Sequence, residues 1–220
     1  MATTASFFGL RPVNLIGGRP YNGGARREYK VASNNSAAMF NGDIIALTNA
    51  GLPVARTATP TAIKIPATAA DAVAGVMGVM VGCRYIDASG QLQFAQYLPA
   101  NAVNSGFEDV HVFVNDEPDQ IFKVVGSAAL GTLNSGTNGS GFPKAIGKNA
   151  ALGNFSSGST ATGNSGVNLV VGSNGGSLAV TSTLAMRVVD VVRGTEGHAY
   201  PEFLVKFNVG VHSYTNSLGI

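Results

Sequence analysis

The feature that most constrains the fold is the apolar run VAGVMGVMVGCRYI, residues 73–86, which contains three glycines and four valines. The glycine spacing would place all three on one helix face, as in membrane helix dimers. However, the uncharged run between Asp71 and Arg84 has only twelve residues, whereas a membrane-spanning helix needs about 20. Each glycine also costs about 1 kcal/mol relative to alanine in a helix. We therefore predict a buried strand that bends or bulges at Gly78 or Gly82.

The same run does not fit a nucleotide-binding loop, and no other stretch predicts chemistry. A Walker-type loop requires G-x-x-x-x-G-K-[ST], and GVMGVMVGCR lacks the lysine and the hydroxyl. There is no G-x-S-x-G motif, and the acidic residues Asp116, Glu117 and Asp119 lack the spacing of a calcium loop. The three histidines lie far apart and Cys83 is the single cysteine, so a zinc site is not expected. We predict no catalytic residue, no cofactor and no metal site.

Short alternating segments separated by turn residues predict the other strands. One hairpin is expected from Ile44–Leu47 through the TNAG turn to a strand from Leu52, and another from Arg84–Ile86 through DASG to Gln91–Leu98. In the second hairpin Leu92 and Phe94 alternate with glutamines. These patterns predict two-stranded units of an antiparallel sheet.

The later strands follow the same logic. VHVFV and QIFKVV flank NDEPD and predict a third hairpin-like pair, and LAMRVVDVV and EFLVKFNVGVHSY predict two closing strands. The last alternates through Phe203, Val205, Phe207 and Val209. Since no segment has a long helical period, the predicted class is mainly β: an antiparallel β-sandwich or barrel, jelly-roll-like or tulip-like.

Two regions depart from this pattern. Residues 1–30 form a glycine-rich basic arm with Arg11, Arg19, Arg26 and Arg27. We expect it to be extended and to contact an acidic protein surface, with a solvated tail or a nucleic-acid arm as alternatives. Residues 31–220 are expected to form a single β-rich domain. Its Gly/Ser-rich excursion at about 126–177 is either a functional loop or short strands joined by wide turns.

The charge content indicates a protein that works in an assembly. Charged residues make up 12% of the chain, about half of the roughly 25% usual in soluble domains. A chain with so few charges is expected to cover much of its surface with other copies or with partners. The formal net charge of +2 is too small to predict nucleic-acid binding.

Several stretches together resemble head-decoration (cement) proteins of tailed bacteriophages, of the marine phage and cyanophage type. They are FGLRPVNLIGGRPYNGGARREYKV, FNGDIIALTNAG, AGVMGVMVGCRYID, QFAQYLPA, VNDEPDQIFKV, GKNAAL, MRVVDVV and EFLVKFN, and they cover most of the chain. The resemblance implies a β-rich, often trimeric subunit on the outer surface of an icosahedral capsid, where it stabilises contacts between major capsid subunits. It implies a structural virion protein rather than an enzyme, with the arm on the capsid and no membrane or direct nucleic-acid partner.

Two other functions are kept as alternatives. A surface- or glycan-binding tail or fibre module would need an exposed aromatic platform, and the chain has no tryptophan and only 8% aromatic residues. A small major capsid protein would need a longer chain and a long helix, which the sequence does not predict.

Overall fold

The computed structural model describes residues 6–21, 23, 26–31, 35–47, 53–55, 76–131, 144–182 and 184–215. Gly75, the TNAG turn and residues 132–143 of the excursion lie outside these described residues. The described strands are β1 (Arg11–Leu15), β2 (Arg27–Lys30), β3 (Met39–Phe40), β4 (Ile44–Leu47), β5 (Pro53–Ala55), β6 (Val76–Ile86), β7 (Leu92–Ala95), β8 (Tyr97–Leu98), β9 (Glu108–Asn115), β10 (Gln120–Val125), β11 (Asn149–Gly153), β12 (Asn168–Val170), β13 (Met186–Val191) and β14 (Glu202–Phe207).

These strands form two large antiparallel sheets and one small pair. The first sheet has the order β1-β10-β14-β13-β11-β12. The second has the order β2-β9-β6-β4-β5, with β7 also paired to β6, and β3 pairs with β8. The predicted class is confirmed, because the chain is mainly β with antiparallel sheets and a curled half-barrel, consistent with a β-sandwich or barrel. In the part of the chain that the structure describes, no helix has the length and apolar character needed to cross a bilayer.

Strand β6 is the central element, and it bulges at the glycines that the sequence indicated. Its register slips against β4 next to Gly78 and against β9 next to Gly82, where φ is +156° and +153°. A slip of one residue reverses which side chains face the core. Without the second bulge, Cys83 would face the surface and Arg84 the interior.

Two hydrophobic cores lie on opposite faces of the second sheet. The first core joins Phe122, Phe203 and Met186 of the first sheet to Val79 of β6. The second core contains Met80 of β6 together with residues of β3, β8 and β9, among them Met39, Leu98, Val110, Val112 and Val114. Because Val79 and Met80 are adjacent and point to opposite faces, β6 contributes side chains to both cores.

The pairings of both hairpins of the second sheet are confirmed, since β4 pairs with β5 and β6 with β7. The strand predicted over Gln91–Leu98 is shorter than expected, because β7 ends at Ala95 and the following β8 pairs with β3. The hairpin-like pair around NDEPD is wrong, because β9 belongs to the second sheet and β10 to the first. Buried amides hold this crossover: Asn115 donates to Gln120 over 3.1 Å, and Gln120 donates to the Asn14 carbonyl over 3.0 Å. The alternation predicted through Val209 stops at Phe207, where β14 ends, and Val209 is exposed.

The predicted arm and the excursion both contribute strands to the sheets. From residues 1–30 come β1 at the edge of the first sheet and β2 at the edge of the second. Within the described part of the excursion, β11 and β12 extend the first sheet. Its Ser165 also donates a hydroxyl hydrogen bond to the buried Asp43, in the turn between β3 and β4. The excursion thus links the first sheet to the second.

Candidate interaction surface

The four arginines proposed as partner contacts lie in different places. Arg11 is half-buried on β1 and donates to the side chain of Asn164 in the excursion, and burial lowers its pKa. Arg19 is exposed in the turn after β1, where its carbonyl accepts from the Leu15 N–H over 2.8 Å. Arg11 therefore supports the fold, whereas the Arg19 side chain forms no ion pair among the described residues.

Arg26 lies over an aromatic pair on the second sheet. Its guanidinium carbon is 4.7 Å from the centroid of the Phe113 ring. The Phe94 ring is nearly parallel to that of Phe113, with an interplanar angle of 6° and centroids 6.5 Å apart. None of the described carboxylates forms an ion pair with Arg26. A cation on an aromatic pair is a common element of binding surfaces.

Gly82 of β6 lies between the strands that carry the two rings. It pairs with Phe113 of β9, and a Cβ added at Gly82 would lie 3.6 Å from the Phe113 ring. Leu92 and Phe94 of β7 are 55% and 69% exposed, although large apolar side chains are usually buried. We call Leu92, Phe94 and Phe113 the outer apolar face. It is an apolar patch in which Leu92 and Phe94 are exposed and Phe113 is half-buried.

A charged network flanks the outer apolar face. Arg84 of β6 donates to both Glu28 of β2 and Asp109 of β9. The hydrogen bond from Arg84 lowers the pKa of Asp109, and the two carboxylates raise the pKa of Arg84. These charges are paired within the chain, whereas Arg26 beside them forms no ion pair in the part of the chain that the structure describes.

Arg27 belongs to a polar cluster around Asp116, on the crossover between the sheets. One Asp116 oxygen accepts from Arg27 Nε over 3.1 Å, from the Tyr29 hydroxyl over 3.0 Å and from the Tyr214 hydroxyl over 3.1 Å. The carboxylate raises the pKa of Arg27, and burial is the main reason that the pKa of Tyr29 is raised. We call Arg27, Tyr29, Asp116 and Tyr214 the Asp116 cluster. It joins β2, the crossover between β9 and β10, and the turn after β14 at residues 209–215, which we call the C-terminal turn.

His212 lies beside this cluster in the C-terminal turn and is 1% exposed. Its Nδ1 accepts from the Tyr214 N–H over 3.2 Å. Its Nε2 makes no hydrogen bond of good geometry within the described residues, although the Met77 backbone nearby favours its protonation. Burial dominates and lowers the pKa of His212. The neutral ring packs against Phe207 and Tyr214, which is a structural arrangement.

The other groups with potential chemistry are held in unreactive states or lie apart. Burial raises the pKa of the Cys83 thiol to about 12, so the thiolate that would be the nucleophile is not populated near neutral pH. Among the described residues, no group of three or more His, Cys, Asp or Glu side chains could hold a metal ion.

The sequence contained a signal for the outer apolar face but not its orientation. Leu92 and Phe94 alternate with glutamines, which indicates a two-faced strand without showing which face is buried. The pairing of β7 with β6 settles this, since Cys83 and Tyr85 face the second core and Arg84 lies opposite Phe94. Arg84, the charged residue between Cys83 and Tyr85, therefore lies on the same face of the sheet as Leu92 and Phe94.

No family model, no curated protein and no solved structure matches this chain.

Proposed function

We propose that the chain is a structural virion protein: a capsid decoration, or cement, subunit that binds the outside of an icosahedral phage head. The observation that carries the proposal is the outer apolar face, which the second sheet presents together with Arg26, an arginine with no ion pair among the described residues. The resemblance to head-decoration proteins supplies the identity of the partner. The role is capsid stabilisation and not catalysis.

The chemistry of this surface suits a protein partner. Interface centres are enriched in aromatic side chains and arginine and depleted in lysine and carboxylates. Phe94 and Phe113 supply large rigid contact areas, and Arg26 can form a bidentate pair with a capsid carboxylate. Burying this surface stabilises the particle by roughly 25 cal/mol per Å² before the costs of ordering are subtracted. A shell with many copies repeats that gain at each site.

The proposed partners are the major capsid protein and other copies of the chain, which the resemblance implies to be a homotrimer. Of the four arginines proposed as capsid contacts, Arg19 and Arg26 are exposed and free of ion pairs among the described residues. Arg27 is exposed but holds Asp116, and Arg11 holds Asn164. Arg19 and Arg26 are therefore the arginines to test first, because their replacement breaks no ion pair among the described residues, although Arg26→Ser also removes the contact with the Phe113 ring.

The test uses heads of the phage whose genome encodes the chain, prepared from a strain lacking that gene. We expect the purified chain to co-sediment with these heads and to raise the temperature at which their DNA becomes accessible to a dye. The Arg19→Ser and Arg26→Ser double variant should bind about tenfold more weakly. Arg193→Ser, which removes an exposed arginine elsewhere, should bind like the wild type. Heads that neither bind the chain nor gain heat resistance would overturn the proposal.

A glycan-binding tail or fibre module is the second candidate, and one observation favours it. The exposed Phe94 and the half-buried Phe113 form a nearly parallel pair, with Gln96 beside it as a hydrogen-bonding group. Sugar rings stack on such platforms. Binding on a glycan array that Phe94→Ala abolishes, together with no binding to heads, would favour this function over capsid decoration.

A further inference from the structure

The structure also contains a free sheet edge next to the outer apolar face. Strand β7 pairs with β6 on one side, and no described strand pairs with its other side. A free edge exposes unpaired N–H and C=O groups, and proteins usually protect such edges with charges or proline. The edge strand β2 has that protection in Arg27, Glu28 and Lys30. The sequence of β7 with its neighbours, QLQFAQ, has neither charge nor proline.

Two hydrogen bonds establish which backbone groups of β7 are free. The Asp87 N–H donates to the Gln91 carbonyl over 2.9 Å, at the turn end of the β6–β7 hairpin. Because hydrogen-bonded pairs alternate along an antiparallel ladder, Gln93 and Ala95 also face β6. The Val31 N–H donates to the Val110 carbonyl over 3.0 Å. Counting alternate hydrogen-bonded pairs from this bond across β9 and β6 gives the same result for β7. The backbone groups of Leu92 and Phe94 therefore point away from the sheet.

We propose that a second copy of this chain adds its own β7 to this edge, antiparallel and related by a two-fold axis at Gln93. In this register Leu92 of each copy lies opposite Phe94 of the other. The two outward-facing pairs exchange four main-chain hydrogen bonds. Gln93, whose amide donates to Asp87 of its own chain over 2.9 Å, lies opposite the Gln93 of the other copy, and no like charges meet along the strand.

The composition of β7 is why a second copy is the occupant. Opposed Leu and Phe side chains form a favourable cross-strand pair on one face, and this pairing occurs twice by symmetry. An isologous contact of this kind closes after two copies. It goes beyond the proposed function, because it needs no capsid. The β7–β7 contact is also distinct from the proposed homotrimer contact. If the chain forms trimers, the β7–β7 contact would join two of them, and if it does not, the contact would produce a dimer.

Cysteine cross-linking tests the register directly. Residues opposed at a non-hydrogen-bonded pair have Cα atoms about 4.5 Å apart, which is within the range for a disulfide. Gln93→Cys in the full chain should form a disulfide-linked dimer under mild oxidation. Val209→Cys, at a site 84% exposed and away from β7, should stay unlinked, and the native Cys83 is buried. A folded Gln93→Cys protein that stays unlinked, or that links no better than Val209→Cys, would overturn the proposal.

Light scattering over a concentration series provides the second measurement. Phe94→Pro removes the ring and an outward N–H without removing a bond to β6, and Phe94→Lys adds the charge that edges normally carry. Each should raise the dissociation constant of the pair by about tenfold or more, whereas Val209→Lys should not. Circular dichroism verifies that the variants are folded. If Phe94→Pro does not fold, the dissociation constant of Phe94→Lys tests the proposal. A folded Phe94→Lys protein with an unchanged dissociation constant would contradict the β7–β7 contact.

Discussion

The two ends of strand β6 have opposite surroundings. The closed end, Val76–Met80, lies between β4 and β9, contributes to both cores and is bridged by His212 of the C-terminal turn. At the open end, Gly82–Ile86, one face covers the second core and the other carries Arg84 beside the exposed Phe94. The same strand therefore holds the fold together at one end and presents a surface at the other. Mutations at matched positions can separate these two roles.

The largest expected effect is that of Gly78→Ala at the closed end. A Cβ at this position would lie 2.0 Å from the Asn115 carbonyl oxygen, and φ of +156° is unfavourable for alanine. Backbone strain and overpacking together should lower the free energy of unfolding by about 4 kcal/mol or more. Urea denaturation, or loss of soluble protein, measures this effect.

Gly82→Ala is the matched control at the open end. Its φ of +153° is similar, but the nearest atom to an added Cβ is 3.4 Å away. Only the backbone strain remains, so the expected loss is about 1–2 kcal/mol. Equal losses for the two variants would show that the closed end is no more tightly packed than the open end.

Local sequence was sufficient to predict this strand and its glycine bulges, because an apolar run with three glycines is too short for a membrane helix and poor as a soluble helix. It was also sufficient for the hairpins at Ile44–Leu47 and DASG, where the turn and both strands are adjacent in sequence. It failed at NDEPD, where a turn sequence separates strands of different sheets. That choice depends on non-local pairing: β9 joins β2 and β6, whereas β10 joins β1 and β14.

The candidate surface was less predictable than the fold. The basic arm drew attention to Arg11, Arg19, Arg26 and Arg27 through charge alone, although Arg11 and Arg27 have partners within the chain. The outer apolar face was missed as a surface, because exposure depends on which side of β7 the second core covers. Composition predicts that some surface contacts a partner, and the sheet pairing identifies the exposed apolar face that we propose for that contact.

The pH dependence of stability is the next prediction, and it differs in sign between the two ends. Asp43 at the closed end is buried, and burial raises its pKa to about 6, although hydrogen bonds from Ser165 and Phe40 partly oppose the shift. The folded state therefore binds this proton more tightly than the unfolded state, and stability falls as the pH rises from about 4 to 6. A shift of this size corresponds to about 3 kcal/mol. Asp43→Asn should gain that much relative to wild type between pH 4 and 7, as measured by urea denaturation.

Asp87, in the turn at the open end, should behave in the opposite way. The Gln91 N–H, the Gln93 amide and the Ser89 N–H donate to its carboxylate and lower its pKa. Its contribution is present above the unfolded pKa and is lost as the pH falls through the folded value. Asp87→Asn should therefore lose stability relative to wild type as the pH rises from 3 to 5. The same sign for both variants would contradict the assignment of Asp43 as a buried group.

A smaller effect is expected where the C-terminal turn meets the closed end. Ser213 donates to the Val76 carbonyl over 2.8 Å, and Tyr214 donates to Asp116, which keeps two other donors. Tyr214→Phe should therefore cost only about 1 kcal/mol, the value of one hydrogen bond. Faster hydrogen exchange at the C-terminal turn, with unchanged exchange in β7, would locate the loss. A loss above about 3 kcal/mol would mean that the Asp116 cluster depends on this hydroxyl.

The smallest effect is expected for Phe94→Thr at the open end. Threonine keeps the strand preference of the position, and the Phe94 ring is 69% exposed. In protein dilute enough to be unpaired, the change should alter the free energy of unfolding by about 0.5 kcal/mol or less. Phe122→Ala, at a phenylalanine with no exposed surface in the first core, should cost about 4 kcal/mol by the same measurement. If Phe94→Thr is neutral in the single chain, the exposed ring contributes little to folding. That result would support the proposed roles of the ring in contacts with another molecule, at the β7 edge or at the proposed capsid-binding surface.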